Sequence, residues 1–344
     1  MYFPDRTIKS QPIILGIETS CDETACALLR GRKIIADKII SSAQEQALYG
    51  GVVPEIASRA HTDAIGEAVN SALNEAGVSP AEVDAVAVTY GAGLLGALLV
   101  GLSFAKAFAY SLNIPLIAVN HIRGHLAAAY LDDQTLTPPF VTLLASGGHT
   151  AILHTKSYTD FEVLASTSDD AAGEAFDKVA RVLSLPYPGG PNIERLAAGG
   201  KNVIAFPSAL IRHGDGKTFS YSGLKTSVIN YVHTAAQRGR KIDYADVAAS
   251  FQCAAIDALV SKTVECAREL GVPTVTAGGG VVANGYLRQT LKNACLNAGL
   301  RLVLPEKRYC TDNAAMIASE GLNQYLIGNF APMDINAKAQ IPLK

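Results

Sequence analysis

The run Asn120-His121-Ile122-Arg123-Gly124-His125 sets two imidazoles four residues apart, so on a helix both rings leave the same face toward one point. Such a pair, joined by a third ligand from elsewhere in the chain, is a common way to hold zinc or iron. Zinc peptidases use the same spacing with a Glu beside the first His as general base, but here that position is Ile122. With no carboxylate between the histidines, peptide hydrolysis lacks its base, and the pair is either a metal site or two packed rings. A third ligand stands near the end of the chain, in Cys310-Thr311-Asp312-Asn313. This stretch precedes a helix expected to run to about Tyr325, with Thr311 or Asp312 as N-cap. Capping is one role for Asp312; completing a two-His, one-Asp set suited to Fe(II) or Zn(II) is the other.

The elements that would position these groups occur in two similar halves. The first opens with a strand at Ile13 to Ile17, a polar turn Glu18-Thr19-Ser20-Cys21-Asp22-Glu23-Thr24 and a second apolar run, Ala25 to Leu29. The second repeats the plan, with Val141 to Leu144, the turn Ala145-Ser146-Gly147-Gly148-His149-Thr150, and Ala151 to Leu153. Turns rich in Gly, Ser and Thr aim backbone N–H groups and hydroxyls at a phosphate; otherwise these are ordinary hairpins. A glycine cluster, Gly278-Gly279-Gly280 to Asn284-Gly285, follows the strand Thr274-Val275-Thr276 and precedes a helix over Tyr286 to Ala298. That order suits a nucleotide site, although it is not the Gly-x-Gly-x-x-Gly fingerprint of a Rossmann fold. Asp177, with Lys178 and Arg181, and the turn Tyr187-Pro188-Gly189-Gly190-Pro191 followed by Glu194 could each meet a ribose, or form a helix end and a structural turn.

Composition bounds the fold. A chain of 344 residues with 30 Gly, 49% hydrophobic and 17% charged residues describes an α/β protein too long for one core, so two lobes are expected. Residues 1 to 12 carry Asp5, Arg6 and Lys9 and no apolar stretch of the kind that marks secretion, which reads as cytoplasmic. The six cysteines, at 21, 26, 253, 266, 295 and 310, form no Cys-x-x-Cys and are expected to be mostly buried and reduced. Ala85 to Ala105 has no charge, but its pattern is a strand at Val86 to Val88, a turn at Tyr90 to Gly93 and a helix over Leu94 to Leu112, rather than a membrane span. Charge is uneven: residues 195 to 241 hold Arg195, Lys201, Arg212, Lys217, Lys225, Arg238, Arg240 and Lys241 against Asp215 alone, a balance of +7 in a chain of net −2. Such a block is a solvated face or a seat for a phosphate backbone.

Taken together and in order, these motifs resemble one family over nearly the whole chain, the TsaD type of tRNA N6-adenosine threonylcarbamoyltransferase, once described as a glycoprotease. The resemblance rests on Gly16-Ile17-Glu18-Thr19-Ser20-Cys21-Asp22-Glu23-Thr24, Asn120-His121 through His125-Leu126, Ser146-Gly147-Gly148-His149-Thr150, Phe176-Asp177-Lys178, Tyr187 to Pro191, Phe219 to Thr226, the Gly278 cluster with Asn284, and Thr311-Asp312-Asn313. It implies a two-lobed actin-like, Hsp70-like ATPase (ASKHA) fold with duplicated mixed five-stranded sheets and a nucleotide between the lobes. One lobe is expected over residues 1–133, completed by a C-terminal helix at about 313–344, and the other over 139–312.

The implied reaction passes the threonylcarbamoyl group of threonylcarbamoyl-adenylate to N6 of adenosine at tRNA position 37, giving t6A in tRNAs that read codons beginning with A and releasing AMP. One divalent metal per subunit, Fe(2+) before Zn(2+), is expected on His121, His125 and Asp312. The adenylate is expected on Leu144, Ala145, Ser146, Gly147, Gly148, Asp177, Gly190, Glu194 and Asn284. Ser146 and His149 would steady developing charge, and Glu23 would assist deprotonation of the amine. Lys225 is expected to meet tRNA phosphate or shape the cleft. The implied partners are tRNA, a shorter paralogue of the same fold (TsaB) and a small P-loop ATPase (TsaE), in the cytoplasm and with no membrane. The helix Leu94 to Leu112 is expected to be either core or a docking face. The family usually carries Gly-Pro-Gly where this chain has Gly91-Ala92-Gly93, which puts the rigidity of that loop in question. A same-fold kinase or ATPase holding Mg²⁺ and phosphates is the rival reading, but it has no use for the His pair; a non-catalytic scaffold is a third.

Overall fold

The computed structural model describes residues 7–213 and 216–343; Asp5, Arg6 and Asp215 of the sequence reading lie outside the described residues. In chain order the elements begin with β1 (Ile13–Glu18), β2 (Glu23–Arg30), β3 (Lys33–Ser41), α1 (Ala43–Ala47), α2 (Pro54–Ala76), β4 (Ala85–Gly91), α3 (Leu95–Leu112), β5 (Leu116–Asn120), α4 (His121–Ala127) and α5 (Ala129–Asp132). They continue with β6 (Phe140–Ala145), β7 (Thr150–Thr155), β8 (Phe161–Ser166), α6 (Ala172–Val182), α7 (Gly189–Ala197), β9 (Leu210–His213), β10 (Gly216–Phe219), α8 (Tyr221–Gln237) and α9 (Tyr244–Glu269). The last are β11 (Thr274–Gly278), α10 (Gly285–Asn297), β12 (Arg301–Val303) and α11 (Ala314–Leu326). Two compact units result, one of residues 1–136 with 312–343 and one of 137–311.

Each unit holds a five-stranded sheet, in the orders β3-β2-β1-β4-β5 and β8-β7-β6-β11-β12. In both, the first three strands run antiparallel and the last two join in parallel, so one topology occurs twice. The central strands β1 and β6 are buried along their full length, as a strand covered on both faces must be, and this is why they read as unbroken apolar runs.

In the first unit, α11 lies against β1 and the approach is close. A Cβ on Gly16 would sit 2.8 Å from Ala318 N, so only glycine lets helix and strand backbones meet there. The terminal helix stops at Leu326, with Gly328 at φ +71°, close to the Tyr325 expected from the motif, and residues 327–343, which the lobe boundary of 313–344 had placed in it, are not helical. The remaining tail lies along the β4–α3 connection, where Lys338 N–H donates to Tyr90 O (2.8 Å) and Gly93 N–H to Ala339 O (3.1 Å). These bonds hold the Gly91-Ala92-Gly93 loop from outside its own sequence, which answers the missing proline.

Helix α3 buries Ala97, Leu98, Gly101, Leu102, Ala105 and Ala109, a stripe at three- and four-residue spacing, and exposes Leu95, Leu99 and Tyr110. It is therefore core on one face only. Both α3 and α9 are long and apolar enough to span a bilayer, but 72% of the most apolar window of α9 is buried inside its own unit. Among the described residues no disulfide forms; Cys26, Cys266, Cys295 and Cys310 are buried, and Cys21 and Cys253 half-buried.

Candidate metal centre

Strand β5 delivers the first ligand to the sheet edge. The Asn120 side chain accepts from Ile122 N–H at 2.8 Å and so caps α4, which starts at His121 and carries His125 one turn later. Gly124 lets α4 meet α11 closely, since a Cβ there would lie 2.7 Å from Ile317 Cδ1. The N-cap of α11 is Asn313, in an extended conformation with its side chain accepting from Met316 N–H at 2.8 Å, and not Thr311 or Asp312. Relieved of capping, the Asp312 carboxylate turns to the histidines.

Asp312 Oδ1 lies 3.3 Å from His121 Nε2 and 3.3 Å from His125 Nε2. The two rings stand nearly perpendicular, at 81° with centroids 4.6 Å apart, and the ligand atoms of all three residues lie within 4.8 Å of one another. Two ligands about 2.0–2.1 Å from one tetrahedral ion are separated by about 3.4 Å, so these spacings suit a shared metal. The donor set also fits. His125 is 1% exposed and neither ring nitrogen makes a hydrogen bond among the described residues, a costly state for a buried imidazole unless an ion takes the lone pair.

The electrostatics point the same way. Burial works against charge on His121, but Asp312 on one side and Glu18 on the other outweigh it and raise its pKa well above the ordinary value. Burial lowers His125. Burial also works to raise Asp312, but the two rings prevail and hold its carboxyl below the usual range. The pocket is thus built for positive charge beside Asp312, supplied by a proton on His121 or by a cation that displaces it.

Behind the ligands stands a residue to which the sequence reading gave no role. Glu18, 1% exposed at the end of β1, faces His121 Nδ1 at 3.2 Å, with Ser20 Oγ at the same distance. Glu18 accepts from Ser20 N–H at 2.6 Å and from the Thr89 hydroxyl, which fixes the carboxylate. A carboxylate on Nδ1 leaves Nε2 as the free donor and makes the ring more basic. His61 of α2 supports the same turn, touching Thr24 Oγ1 at 2.7 Å and Cys21 O at 2.9 Å. The signal for Glu18 was a carboxylate closing an otherwise apolar strand.

In the second unit the turn between β6 and β7 is tight and open. Ser146 N–H donates to His149 O (2.8 Å), and Ser146 Oγ accepts from His149 N–H (3.1 Å). Gly147 and Gly148 are exposed, a Cβ on either would meet empty space, and among the described residues their amides find no acceptor. Gly173 N–H, in the first turn of α6, donates to Ser146 O at 3.1 Å, so the turn sits beside a helix N-terminus, where an anion is favoured. Leu144 and Ala145 are fully buried, so only their backbone could reach a ligand.

Comparison with known proteins decides the family. The sequence profile of TsaD, tRNA N6-adenosine threonylcarbamoyltransferase, matches residues 33–319. The chain belongs to this family. A tRNA N6-adenosine threonylcarbamoyltransferase of Clostridium novyi is 47% identical over 332 residues, covering 96% of this chain and 97% of that protein. One of Moorella thermoacetica is 48% identical over 340 residues, covering 98% and 99%. Among solved structures, full-length HypF superposes with TM-score 0.64 at 14% identity, over 94% of this chain and 48% of that one, so the chain spans about half of HypF. An activator of 2-hydroxyisocaproyl-CoA dehydratase from Clostridium difficile gives 0.51 at 13% identity, over 91% and 95%. These likenesses establish the ASKHA-type fold.

The expected nucleoside residues of this threonylcarbamoyltransferase family member gather around α7, where each has a structural partner. The Pro188-Gly189-Gly190-Pro191 stretch is not a free turn; it opens α7. Asp177 Oδ1 accepts from Gly189 N–H at 2.7 Å, and burial raises its pKa. Glu194 Oε1 accepts from Gly285 N–H at 2.8 Å, while Asn284 caps α10 through Leu287 N–H and donates to Gln252 Oε1 at 2.8 Å. Gly190 has open space at its Cβ position. Glu23 lies in the first unit; Oε1 accepts from Ser41 Oγ at 2.8 Å, Oε2 is buried without a hydrogen bond among the described residues, and burial raises its pKa. Lys225 pairs with Asp170 at 2.6 Å.

Proposed function

We infer that the chain transfers the threonylcarbamoyl group of threonylcarbamoyl-adenylate to N6 of adenosine at tRNA position 37, forming t6A and releasing AMP. Family membership supplies the reaction class, and the convergence of His121, His125 and Asp312 on one point is the observation that carries the site. The exocyclic amine attacks the carbamoyl carbon, the bond from that carbon to the phosphate oxygen breaks, AMP leaves with the electron pair, and the amine gives up one proton. An adenine amine is a poor nucleophile and the mixed anhydride is activated, so positioning is the main task.

His121, His125 and Asp312 would hold one divalent ion, Fe(2+) before Zn(2+), which when bound supplies a Lewis acid for the threonylcarbamoyl oxygens. Glu18 fixes the His121 tautomer. Ser146, Gly147, Gly148 and His149 offer hydroxyl and amide groups to the phosphate or carbonyl oxygen, with Leu144 and Ala145 contributing backbone only. Asp177, Gly190, Glu194 and Asn284 shape the nucleoside seat, and their structural bonds make them its frame. Glu23, with a raised pKa and a free buried oxygen, is suited to take the proton of the amine. The exposed Leu95, Leu99 and Tyr110 of α3 support docking of a shorter same-fold partner (TsaB), with the P-loop ATPase (TsaE) completing the assembly in the cytoplasm.

The test is transfer of labelled threonylcarbamoyl from preformed adenylate to unmodified tRNA, with partners present. Label on tRNA with wild type and none with His121→Ala supports the reading. Equal labelling by both would place the metal outside the reaction.

A further inference from the structure

Helix α8 ends at Gln237 and turns through Gly239 at φ +61°, with Arg240 N–H returning to Ala235 O at 2.9 Å. This turn puts Arg238 and Arg240 on either side of one glycine, both exposed, and among the described residues neither pairs with a carboxylate. Arginines at a helix C-terminus complement its dipole, which is the ordinary reason for them. The dipole does not account for what lies beside them. A cavity of about 400 Å³ opens there, lined by both arginines, by Phe206 and Tyr231, and by Asn230 and Thr234, and no carboxylate lines it among the described residues. Asn230, Tyr231, Thr234 and Arg238 follow the three- and four-residue spacing of a single helix face. Phe206 and Tyr231 stand edge to face, at 83° with centroids 5.8 Å apart, and Tyr231 is 37% exposed.

We propose that this cavity holds an unstacked nucleotide of the substrate tRNA, its base against Phe206 and Tyr231 and its phosphates on Arg238 and Arg240. Aromatic faces beside unpaired arginines are how proteins seat looped-out RNA bases, and an amide and a hydroxyl supply base-edge contacts. The charge fits, since every lining residue but Ile242 belongs to the 195–241 stretch of sequence, whose balance is +7 in a chain of net −2. The inference rests on the proposed transfer to tRNA and adds a second place where the substrate is held.

Binding of unmodified tRNA to the full chain, in a salt series and beside the transfer assay, tests it. Arg238→Ala with Arg240→Ala weakens binding about ten-fold or more and lowers the slope of log affinity against log salt by about 1.4, roughly 0.7 for each lost phosphate contact. Tyr231→Ala weakens binding roughly ten-fold and leaves the slope unchanged. Arg268→Ala with Lys292→Ala, two exposed cations on α9 and α10, is the charge-matched control and stays within two-fold of wild type. Equal loss in that control, or tRNA affinity unchanged in the double variant while its Tm falls, overturns the inference by reducing the arginines to net charge or helix capping. Wild type that neither binds nor modifies tRNA overturns the functional reading and this inference with it. Wild type that modifies tRNA while the double variant binds it as tightly overturns this inference alone.

Discussion

The turn after β1 and the turn after β6 occupy the same place in two copies of one sheet topology, yet they are finished in opposite ways. The first is filled: Thr19 Oγ1 donates to Ala97 O (3.0 Å), Leu94 N–H donates to Ser20 O (2.8 Å), His61 touches Thr24 and Cys21, and Glu18 is locked against His121. The second leaves Gly147 and Gly148 bare, with open space above them. The same hairpin thus once fixes the position of the His121 side chain, which requires packing on every side, and once leaves its backbone groups uncovered, which requires that nothing be there.

The largest expected effect falls on the filled side. Asp312→Ala or His125→Ala should cut the single-turnover transfer rate by about 10³-fold, the order of several kcal/mol that a Lewis acid contributes. If transfer held within ten-fold, the contrast between the two turns would lose its chemical meaning.

Next is the support beneath the ligands. Glu320 of α11 is buried against Arg123 of α4, and burial raises its pKa from 4.5 to about 7. The folded state therefore holds a proton that the unfolded state has released, and the stabilisation is complete below pH 4.5 and lost as pH rises through about 7. Glu320→Gln should remove this dependence and leave the variant, relative to wild type, more stable by about 3 kcal/mol at pH 8 than at pH 4. Denaturant unfolding across that range reads it, and parallel pH profiles for the two proteins would contradict it.

Glu18→Gln removes the charge behind His121 while keeping its shape. Metal affinity, followed by competition with a chelator, should drop about 10–100-fold. Unchanged affinity would leave Glu18 as filler.

The smallest effect belongs to the open turn. Gly148→Ala should change stability by less than about 0.5 kcal/mol in thermal unfolding, because its Cβ meets nothing. Gly93→Ala, whose Cβ would lie 2.6 Å from Ser20 Cβ, should cost about 1–3 kcal/mol. Equal costs would erase the distinction between packed and open turns.

Both hairpins were legible because a buried strand ending in Gly, Ser and Thr is a short-range pattern, and the His pair because helical spacing is local. Other features depended on contacts far apart in sequence or on backbone angles. Thr311, Asp312 and Asn313 are all good N-caps, and only the extended backbone at Asn313 assigns the role and frees Asp312. Pro188 to Pro191 reads equally as a turn or as a helix start, since proline favours both. Glu18 looks like part of the turn until it meets His121, 103 residues away. The path of the tail beyond Leu326 is set by bonds between distant residues, Lys338 N–H to Tyr90 O and Gly93 N–H to Ala339 O.

The central claim is that the filled turn serves a metal held by His121, His125 and Asp312. Metal content per chain, measured on protein purified without chelator and compared with Asp312→Ala, tests it most directly. The account predicts close to one iron or zinc per wild-type chain and little in the variant; equal metal in both would contradict it.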